Sequence, residues 1–448
     1  MTVNLSALSA RLIKLGEKLG ADEVEVYINE TWLRSIALVK GVESLGSSYM
    51  SGLGIRVVES KRIGQSSTTS LNPYETEQAV RRAHSIAKIN QPNGDWVSLV
   101  KNMGRTSVEG VLDPEIQELR PENMSEAALE MLRTVREEGA ELLITRGGIL
   151  TGIRTTTIAN NYGQTLRRSA SFASASISVS TGGASPKGSG SESDESHSWR
   201  DLDVDGICHV ASDRAIAAAK ARSIPSGVIP IIWRNKLFAS VLAIMFGGTL
   251  SADSVQKKRS PWAGKIGSKI AAADFTLIDK GLAPGCIGTR EFDDEGVPQR
   301  HVPLIEKGVL KAYIYDTFTA NKDHVESTGN ASRSYDNTPR PAPNNLSLGL
   351  GTLDSDEIIE ETKQGLYLQE VIGVWLSNPV SGYLSATAAN AMLIDKGEMT
   401  QPVKGVLVSG SFFEILQGRI DLIGRDVDHA GGNYSPTVRV TPMSVTPQ

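Results

Sequence analysis

The chain has 448 residues, of which 40% are hydrophobic and 22% are charged, and its formal net charge is −5. This length allows two or three domains with buried cores. A negative net charge without a Lys/Arg stripe argues against a nucleic-acid partner, because contacts to phosphates supply most of that affinity. No apolar run approaches the roughly 20 residues that span a bilayer, so we expect no membrane association either.

The N-terminus and the cysteines indicate the compartment. The first residues lack the charged-then-apolar pattern of a secretory signal and instead predict a helix. Cys208 and Cys286 form neither a disulfide framework nor a CxxC pair, and the sequence assigns no role to either thiol. We therefore predict a cytoplasmic protein with two reduced cysteines.

The first block, residues 1–110, predicts an α/β subdomain. Leucines in the first 19 residues recur at spacings of three and four, which is typical of an amphipathic helix. Alternating apolar residues at 24–28 predict a strand, and the glycine-rich sequence at 35–70 predicts several more. Asn72 and Pro73 are a helix cap and first-turn proline, so a helix is expected to about residue 89.

The second block, residues 111–224, predicts another α/β subdomain. Its predicted elements are a helix at 124–138, strands at 148–160 and 164–180, a mobile polar loop or hairpin tip at 182–198, and a helix at 210–222. In the second strand, apolar residues alternate with serines, so one serine-rich face is expected at the surface or in a cleft.

From residue 225 to 448 the pattern is mostly short β-type runs broken by glycine and proline, after one helix predicted at 235–253. Dense strands with few helices indicate an antiparallel sheet or a barrel-like domain. The predicted fold class is therefore α+β: a mixed α/β N-terminal half followed by a β-rich, mainly antiparallel C-terminal domain.

The sequence gives only weak support for a catalytic site in this chain. The six histidines form no two-histidine motif at helical spacing, so we predict no intact metal site in this chain. Ser411, in VSGSF, lacks the second glycine of a nucleophile elbow. The acidic run at 293–295 is either a contact for a substrate amine or a metal, or a turn whose Asp side chains accept backbone N–H groups. The turn is favoured.

Several motifs nevertheless occur in a specific order in the C-terminal half. They are GTLSAD at 248–253, RSPWAGK at 259–265, DDEGVP at 293–298, LIEKGVLK at 304–311 and STGNA at 327–331. In this order and spacing they resemble the TldD/PmbA family, also called the modulator-of-DNA-gyrase or peptidase U62 family. Weaker agreement extends over most of the chain.

The resemblance implies a vacant metal site. The TldD-like branch carries HExxxH on the helix before GTLSAD, and that motif maps its histidines onto Ala243 and Gly248 and its glutamate onto Ile244. A cysteine ligand near the C-terminus corresponds to His429–Pro436, which contains no cysteine. The chain is thus similar to the TldE/PmbA-type branch. Ala, Ile, Met and Phe at 243–246 are expected to pack as core.

This branch implies a non-zinc subunit of a heterodimeric metalloprotease acting on unfolded or extended peptides. The chain alone is then inactive, has no catalytic residue or cofactor of its own, and works with an HExxxH-bearing paralogue that holds zinc. A homodimeric peptide-binding or scaffold protein is the alternative, and a self-sufficient hydrolase using 293–295 or a serine is a third hypothesis. We predict peptide contacts from Arg259, Asp293, Asn330 and Arg333.

Overall fold

The computed structural model describes residues 4–39, 41–182 and 187–448. The elements of the N-terminal half are α1 Leu5–Lys18, β1 Glu23–Leu38, β2 Val42–Glu59, β3 Arg62–Thr68, α2 Pro73–Ile89, α3 Pro114–Glu118, α4 Pro121–Glu138, β4 Leu142–Asn160, β5 Thr165–Thr181, β6 Ser189–Ser196 and α5 Val204–Lys220.

These strands form one antiparallel sheet in the order β3-β2-β1-β4-β5-β6. The apolar residues of β1 and β2 that face one side pack under α1 and α2. Those of β4 and β5 pack under α4 and α5, as the alternation at 173–179 predicts. Both predicted N-terminal subdomains therefore contribute strands to a single sheet, and the division at residue 110 stays a prediction.

The polar loop or hairpin tip was predicted at 182–198. A loop is wrong for residues 189–196, which form β6 and pair with β5 as the second strand of an antiparallel hairpin, and residues 183–186 lie outside the described part of the chain. The polar sequence of β6 did not predict a strand, because helix α5 packs on it at glycines and not on apolar side chains. A Cβ on Gly188 or Gly190 would lie 2.0 or 2.4 Å from a carbonyl oxygen of α5. Glycine thus lets the helix lie directly on a strand of serines and acids.

The elements of the C-terminal half follow in chain order. They are β7 Gly227–Trp233, α6 Asn235–Phe246, α7 Ala252–Gln256, β8 Leu277–Lys280, β9 His301–Glu306, β10 Val309–Leu310, α8 Thr317–Asp323, β11 Ala331–Ser332, β12 Arg340–Pro341, β13 Leu346–Leu348, α9 Ser355–Glu360, β14 Gln364–Ile372, β15 Tyr383–Asp395, β16 Glu398–Val403, β17 Val406–Ser411, α10 Phe412–Glu414, β18 Ile420–Ile423, β19 Asp428–Ala430, β20 Asn433–Ser435 and β21 Val438–Pro447. A 3₁₀ turn at Val374–Leu376 and a π-type turn at Ile415–Arg419 complete them.

Two sheets organise this half. One has the order β14-β7-β21-β17-β15-β16, with β18 beside β21, and the other has the order β10-β9-β8-β13-β20-β19. The β7–β14 and β13–β20 pairs are parallel, whereas the other pairs within these sheets are antiparallel. The predicted α+β class with a β-rich, mainly antiparallel C-terminal domain is confirmed. No helix in the described ranges is long and apolar enough to cross a membrane.

The helix predicted at 235–253 is two helices, α6 and α7, separated by a turn at 247–251. Gly247 and Gly248 follow the last residue of α6, and glycine is a poor helix former because its backbone loses the most freedom on ordering. The Thr249 hydroxyl then donates to the Met245 carbonyl at 2.6 Å, which satisfies one of the last carbonyls of the helix.

The C-terminal half also packs on the face of the N-terminal sheet that the helices leave open. Tyr27 and Ile158 from the sheet pack with Phe292 and Met103 in a small buried cluster. A Cβ on Gly54 would lie 2.1 Å from the carbonyl oxygen of Tyr335, so glycine is needed for this close approach. The segment around residues 331–335 is thereby held against β1 and β2.

Candidate functional site

Helix α6 buries one side in the C-terminal core, and its other side is partly buried. Phe238, Val241, Leu242, Met245 and Phe246 are buried in that core. The less buried positions follow at helical spacing and are Lys236, Leu237, Ser240, Ala243, Ile244, Gly247 and Gly248. Leu237 and Ile244 still pack against the edge of the core, so this side is the less buried side of the helix and not a fully exposed one.

A cleft of about 620 Å³ lies beside this side of α6, and we call it the α6 cleft. Its walls come from α6, from β5 and β6 of the N-terminal sheet, from β14 and from the 429–431 turn. The lining residues are Ser174, Ala175, Ser176, Ile177, Ser178, Ser191, Glu192, Ser193, Asp194, Glu195, Arg214, Arg234, Lys236, Leu237, Ser240, Gln369, Glu370, His429, Ala430 and Gly431. The structure therefore brings α6 close to the 429–431 turn, and it places the serine face of β5 in a cleft.

The predicted vacant positions lie on the same side of α6 as the cleft. Ala243 and Ile244 are only partly buried, but Ile244 packs against the edge of the core. The expectation that 243–246 packs as core is therefore right for Ile244, Met245 and Phe246, whereas Ala243 lies outside the core cluster. Gly248 is exposed, and a Cβ there would have no heavy atom within 4 Å. The helical period places residues 243, 244 and 248 outside the fully buried stripe of the helix.

Zinc does not fit these residues. Ala243, Ile244 and Gly248 offer no imidazole, carboxylate or thiolate, which are the ligands zinc takes in proteins. Within residues 4–39, 41–182 and 187–448, no group of three or more His, Cys, Asp or Glu side chains is placed to hold a metal ion. The three positions onto which the resemblance maps the metal site therefore carry no donor atoms for it.

Glu192 is the electrostatic centre of the α6 cleft. Its carboxylate pairs with Arg214 at 3.0 Å, with Lys236 at 3.3 Å and with Arg234, and its side chain is only 7% exposed. Burial alone would raise its pKa, but the three cations hold the pKa of Glu192 at about 2. The carboxylate is therefore ionised and ties the sheet (β6), α5 and the start of α6 together.

His429 lies in β19, at the start of the 429–436 segment onto which the resemblance maps the cysteine ligand. Its Nδ1 lies 3.5 Å from the Glu195 carboxylate and 3.2 Å from the Gly431 carbonyl, and its ring stacks on Tyr434 with centroids 5.1 Å apart. Burial works to lower the pKa of His429, but the hydrogen bond to Glu195, the charges of Glu195 and Asp428 and the contact with the Gly431 carbonyl together outweigh burial and raise that pKa from its ordinary value of 6.5. The pairing joins β19 to Glu195 of β6, and we call it the His429–Glu195 clasp.

The residues predicted to contact peptide divide into two places. Arg259 is exposed and pairs with Asp253 at 3.1 Å. Asp293, Asn330 and Arg333 lie together between the two halves, and Asp293 and Asn330 have no exposed surface. Direct peptide contact stays a prediction.

The acidic run at 293–295 forms the turn that the sequence favours. Oδ1 of Asp293 accepts the N–H groups of Glu295 and Val297, each at 2.9 Å, and Oδ2 accepts that of Ala331. Burial and the neighbouring Glu295 raise the pKa of Asp293 to about 7. Ser411 likewise has a local task, since its hydroxyl accepts the N–H of Glu414 at the start of α10.

A second cavity, of about 760 Å³, lies where the 331–335 segment meets the N-terminal sheet, and we call it the arginine cavity. It is lined by Tyr27, Asn29, Thr31, Tyr49, Met50, Ser51, Gly52, Thr69, Arg154, Thr156, Arg168, Arg290, Asp294, Ser332, Arg333, Ser334 and Tyr335. Except for Arg333, sequence reasoning missed these arginines. Arg154 and Arg168 lie on β4 and β5, more than a hundred residues before Arg290, and no local motif joins them.

Comparison with known proteins assigns the family. Profiles described as PmbA/TldA metallopeptidase domain 1, central domain and C-terminal domain match residues 24–87, 114–219 and 226–447. An uncharacterized protein of Methanocaldococcus jannaschii is 28% identical over 437 residues, covering 96% of this chain and 97% of the relative. A metalloprotease TldD homolog of Haemophilus influenzae is 27% identical over 412 residues, covering 88% and 84%.

Among solved structures, TldE from Thermococcus kodakarensis superposes with a TM-score of 0.91 at 23% identity, covering 98% of this chain and all of that one. At that identity the likeness concerns the fold. The profiles together span both halves of the chain and match their family order, from the N-terminal sheet to the domain that contains α6. The chain belongs to the PmbA/TldD metallopeptidase family.

Proposed function

We propose that this chain is the non-zinc subunit, of TldE/PmbA type, of a heterodimeric metalloprotease that degrades or processes unfolded or extended peptides. One observation carries the proposal: the positions onto which the resemblance maps the family's ligands and base are Ala243, Ile244 and Gly248, and these residues offer neither a metal donor nor a base. A chain that retains the fold but lacks the donors cannot activate water at that position, so the metal and base belong to a partner.

The α6 cleft supports this division of labour. Its walls carry hydroxyls and paired charges, and the ion pairs of Glu192 hold the walls that come from β6, α5 and α6 together. Side chains fixed in this way can shape a closed peptide channel without taking part in chemistry. The branch assignment is carried by residues 243–248 and not by overall identity, because the relatives include a TldD homolog.

A free strand edge supports an extended peptide as the ligand. β3 pairs with β2 only from Leu53 to Glu59, so residues 42–52 of β2 have an outer edge that pairs with no strand in the described part of the chain. A peptide can add to such an edge through main-chain hydrogen bonds, which gives affinity with low sequence specificity. This matches a protease for unfolded chains.

The test compares the purified chain with its HExxxH-bearing paralogue from the same organism. Zinc content and cleavage of casein are measured for each chain alone and for the equimolar mixture. We expect no stoichiometric zinc and no cleavage for this chain alone, and a complex whose activity exceeds that of the paralogue alone. Stoichiometric zinc with cleavage by the isolated chain would overturn the proposal. Absence of complex and of any gain would favour the homodimeric scaffold.

A further inference from the structure

We propose that the arginine cavity binds the C-terminal carboxylate of an extended peptide. Four of its lining residues are the arginines Arg154, Arg168, Arg290 and Arg333, whereas its one acidic lining residue is Asp294. The choice of a peptide as the ligand rests on the proposed function. It concerns a binding site in this chain, separate from the α6 cleft and independent of zinc.

The positive charge is concentrated at one end of the cavity. Arg168 and Arg290 share the single carboxylate of Asp294, at 2.6 and 3.3 Å. Arg154 makes no ion pair with any described residue, and its guanidinium lies 6.0 Å from the centre of the Phe172 ring. Two guanidinium groups thus share one carboxylate while the third has no ion pair, which leaves an excess of positive charge where a ligand anion can enter.

The same end is a junction of two cavities. A smaller cavity of about 250 Å³ adjoins the arginine cavity, and the residues that line both are Arg154, Thr156, Arg168, Arg290 and Ser332. Hydroxyl and guanidinium donors therefore converge on a recess that carries no lining acid besides Asp294. Arginine is suited to this role because its planar fork can bind both oxygens of a carboxylate.

Arg333 adds a second cation with unused donors. Its Nη1 binds Glu25 at 2.7 Å, and its guanidinium lies 4.1 Å from the centre of the Tyr27 ring. Its Nε and Nη2 are buried and have no hydrogen-bond partner among the described residues. Buried donors are rarely left unpaired, so a bound anion is a direct way to offset their cost.

The rest of the cavity identifies the ligand as a peptide instead of a free ion. Tyr49, Met50 and Tyr335 form an aromatic and apolar wall beyond the arginines. Residues 49–52 belong at the same time to the free edge of β2. A chain pairing with that edge would bring its terminus beside the cavity, with an apolar side chain against the wall and the carboxylate among the arginines.

The test uses two peptides of one extended sequence ending in phenylalanine, one with a free C-terminal acid and one with a C-terminal amide. Binding to the full chain is measured by calorimetry. We expect the acid to bind at least about tenfold more tightly than the amide, since loss of a charge-assisted pair weakens binding by this order. Arg154→Gln should abolish the preference, and exposure of Arg154 means that the fold tolerates the change.

Arg167→Gln is the matched control. Arg167 adjoins Arg168 on β5, points to the opposite face and lines a different cavity. The acid preference should survive this change within about twofold. Equal affinity for acid and amide would overturn the proposal, as would equal effects of the two variants.

A competition experiment with inorganic phosphate completes the test. Phosphate that competes with the acid peptide supports the shared oxyanion site, whereas phosphate binding that the acid peptide does not displace would overturn the peptide assignment. The result is separable from the zinc and cleavage test. A chain that activates its paralogue but shows no acid preference refutes this inference alone, and the reverse outcome refutes only the subunit role.

Discussion

Replacing Glu192 by glutamine tests the electrostatic design of the α6 cleft. The change removes one carboxylate and leaves Arg214, Arg234 and Lys236 facing each other with side chains only 6%, 18% and 17% exposed. A pKa of about 2, against 4.5 for an ordinary glutamate, corresponds to about 3 kcal/mol of folding free energy at neutral pH, since each tenfold change in proton affinity is worth ~1.4 kcal/mol. We expect Glu192→Gln to destabilise the chain by about that amount.

The pH dependence follows from the direction of the shift. A carboxyl whose pKa is lowered on folding contributes its full stability above the unfolded value of 4.5 and loses it as the pH falls towards 2. The gap between wild type and Glu192→Gln should therefore fall by about 2 kcal/mol between pH 7 and pH 3. Urea unfolding at both pH values measures it, with Glu43→Gln, on the exposed part of β2, as the control.

An equal gap at pH 7 and pH 3 would refute this reasoning. The cost of the substitution would then come from packing or from the new amide, and not from the charge of Glu192. A gap below about 0.5 kcal/mol at pH 7 would also refute it, because the ion pairs would then behave as solvent-exposed ones.

Two further predictions follow from the same geometry. His429→Gln should destabilise the chain at pH 5.5 and much less at pH 9. The reason is that a histidine whose pKa is raised by Glu195 contributes stability below pH 6.5, and this stability is lost as the pH rises through the pKa of the folded state. NMR titration of the ring should give a pKa above 6.5, and a value below 6.5 would contradict the pairing of His429 with Glu195. Gly54→Ala should lower the free energy of unfolding by about 2 kcal/mol or more, because its Cβ would lie 2.1 Å from the Tyr335 carbonyl oxygen. The control is Gly94→Ala, whose Cβ would have no heavy atom within 4 Å and which should change the free energy of unfolding by under about 0.5 kcal/mol in the same urea titration. Equal effects of the two substitutions would contradict the close approach at Gly54.

The fold was predictable where side-chain alternation reports burial. Ala173, Ala175, Ile177 and Val179 alternate with serines, and they lie on the buried face of β5 as expected. β6 was not predictable in this way, because glycine and acidic residues replace the apolar face where α5 lies on it. The end of α6 was misplaced for a related reason: the apolar pattern continues through residue 250, but two glycines end the helix before it.

The site was predictable only through local sequence. The turn at 293–295 follows from short-range Asp chemistry, and the vacant positions follow from one helical motif. The clasp of His429 with Glu195 and the pairing of Glu192 with Arg234 join residues of different strands and helices. No periodicity records such contacts, so the arginine cavity and the α6 cleft emerge only from the tertiary structure.

The central claim is that this chain acts through a metal-bearing partner. The most direct measurement is casein cleavage by the equimolar mixture of this chain with its HExxxH paralogue, compared with a mixture in which the paralogue's motif glutamate is changed to glutamine. The account predicts strong cleavage in the first mixture and none in the second, because this chain supplies no base at Ile244. Undiminished cleavage in the second mixture would contradict it, since the catalytic base would then lie in this chain.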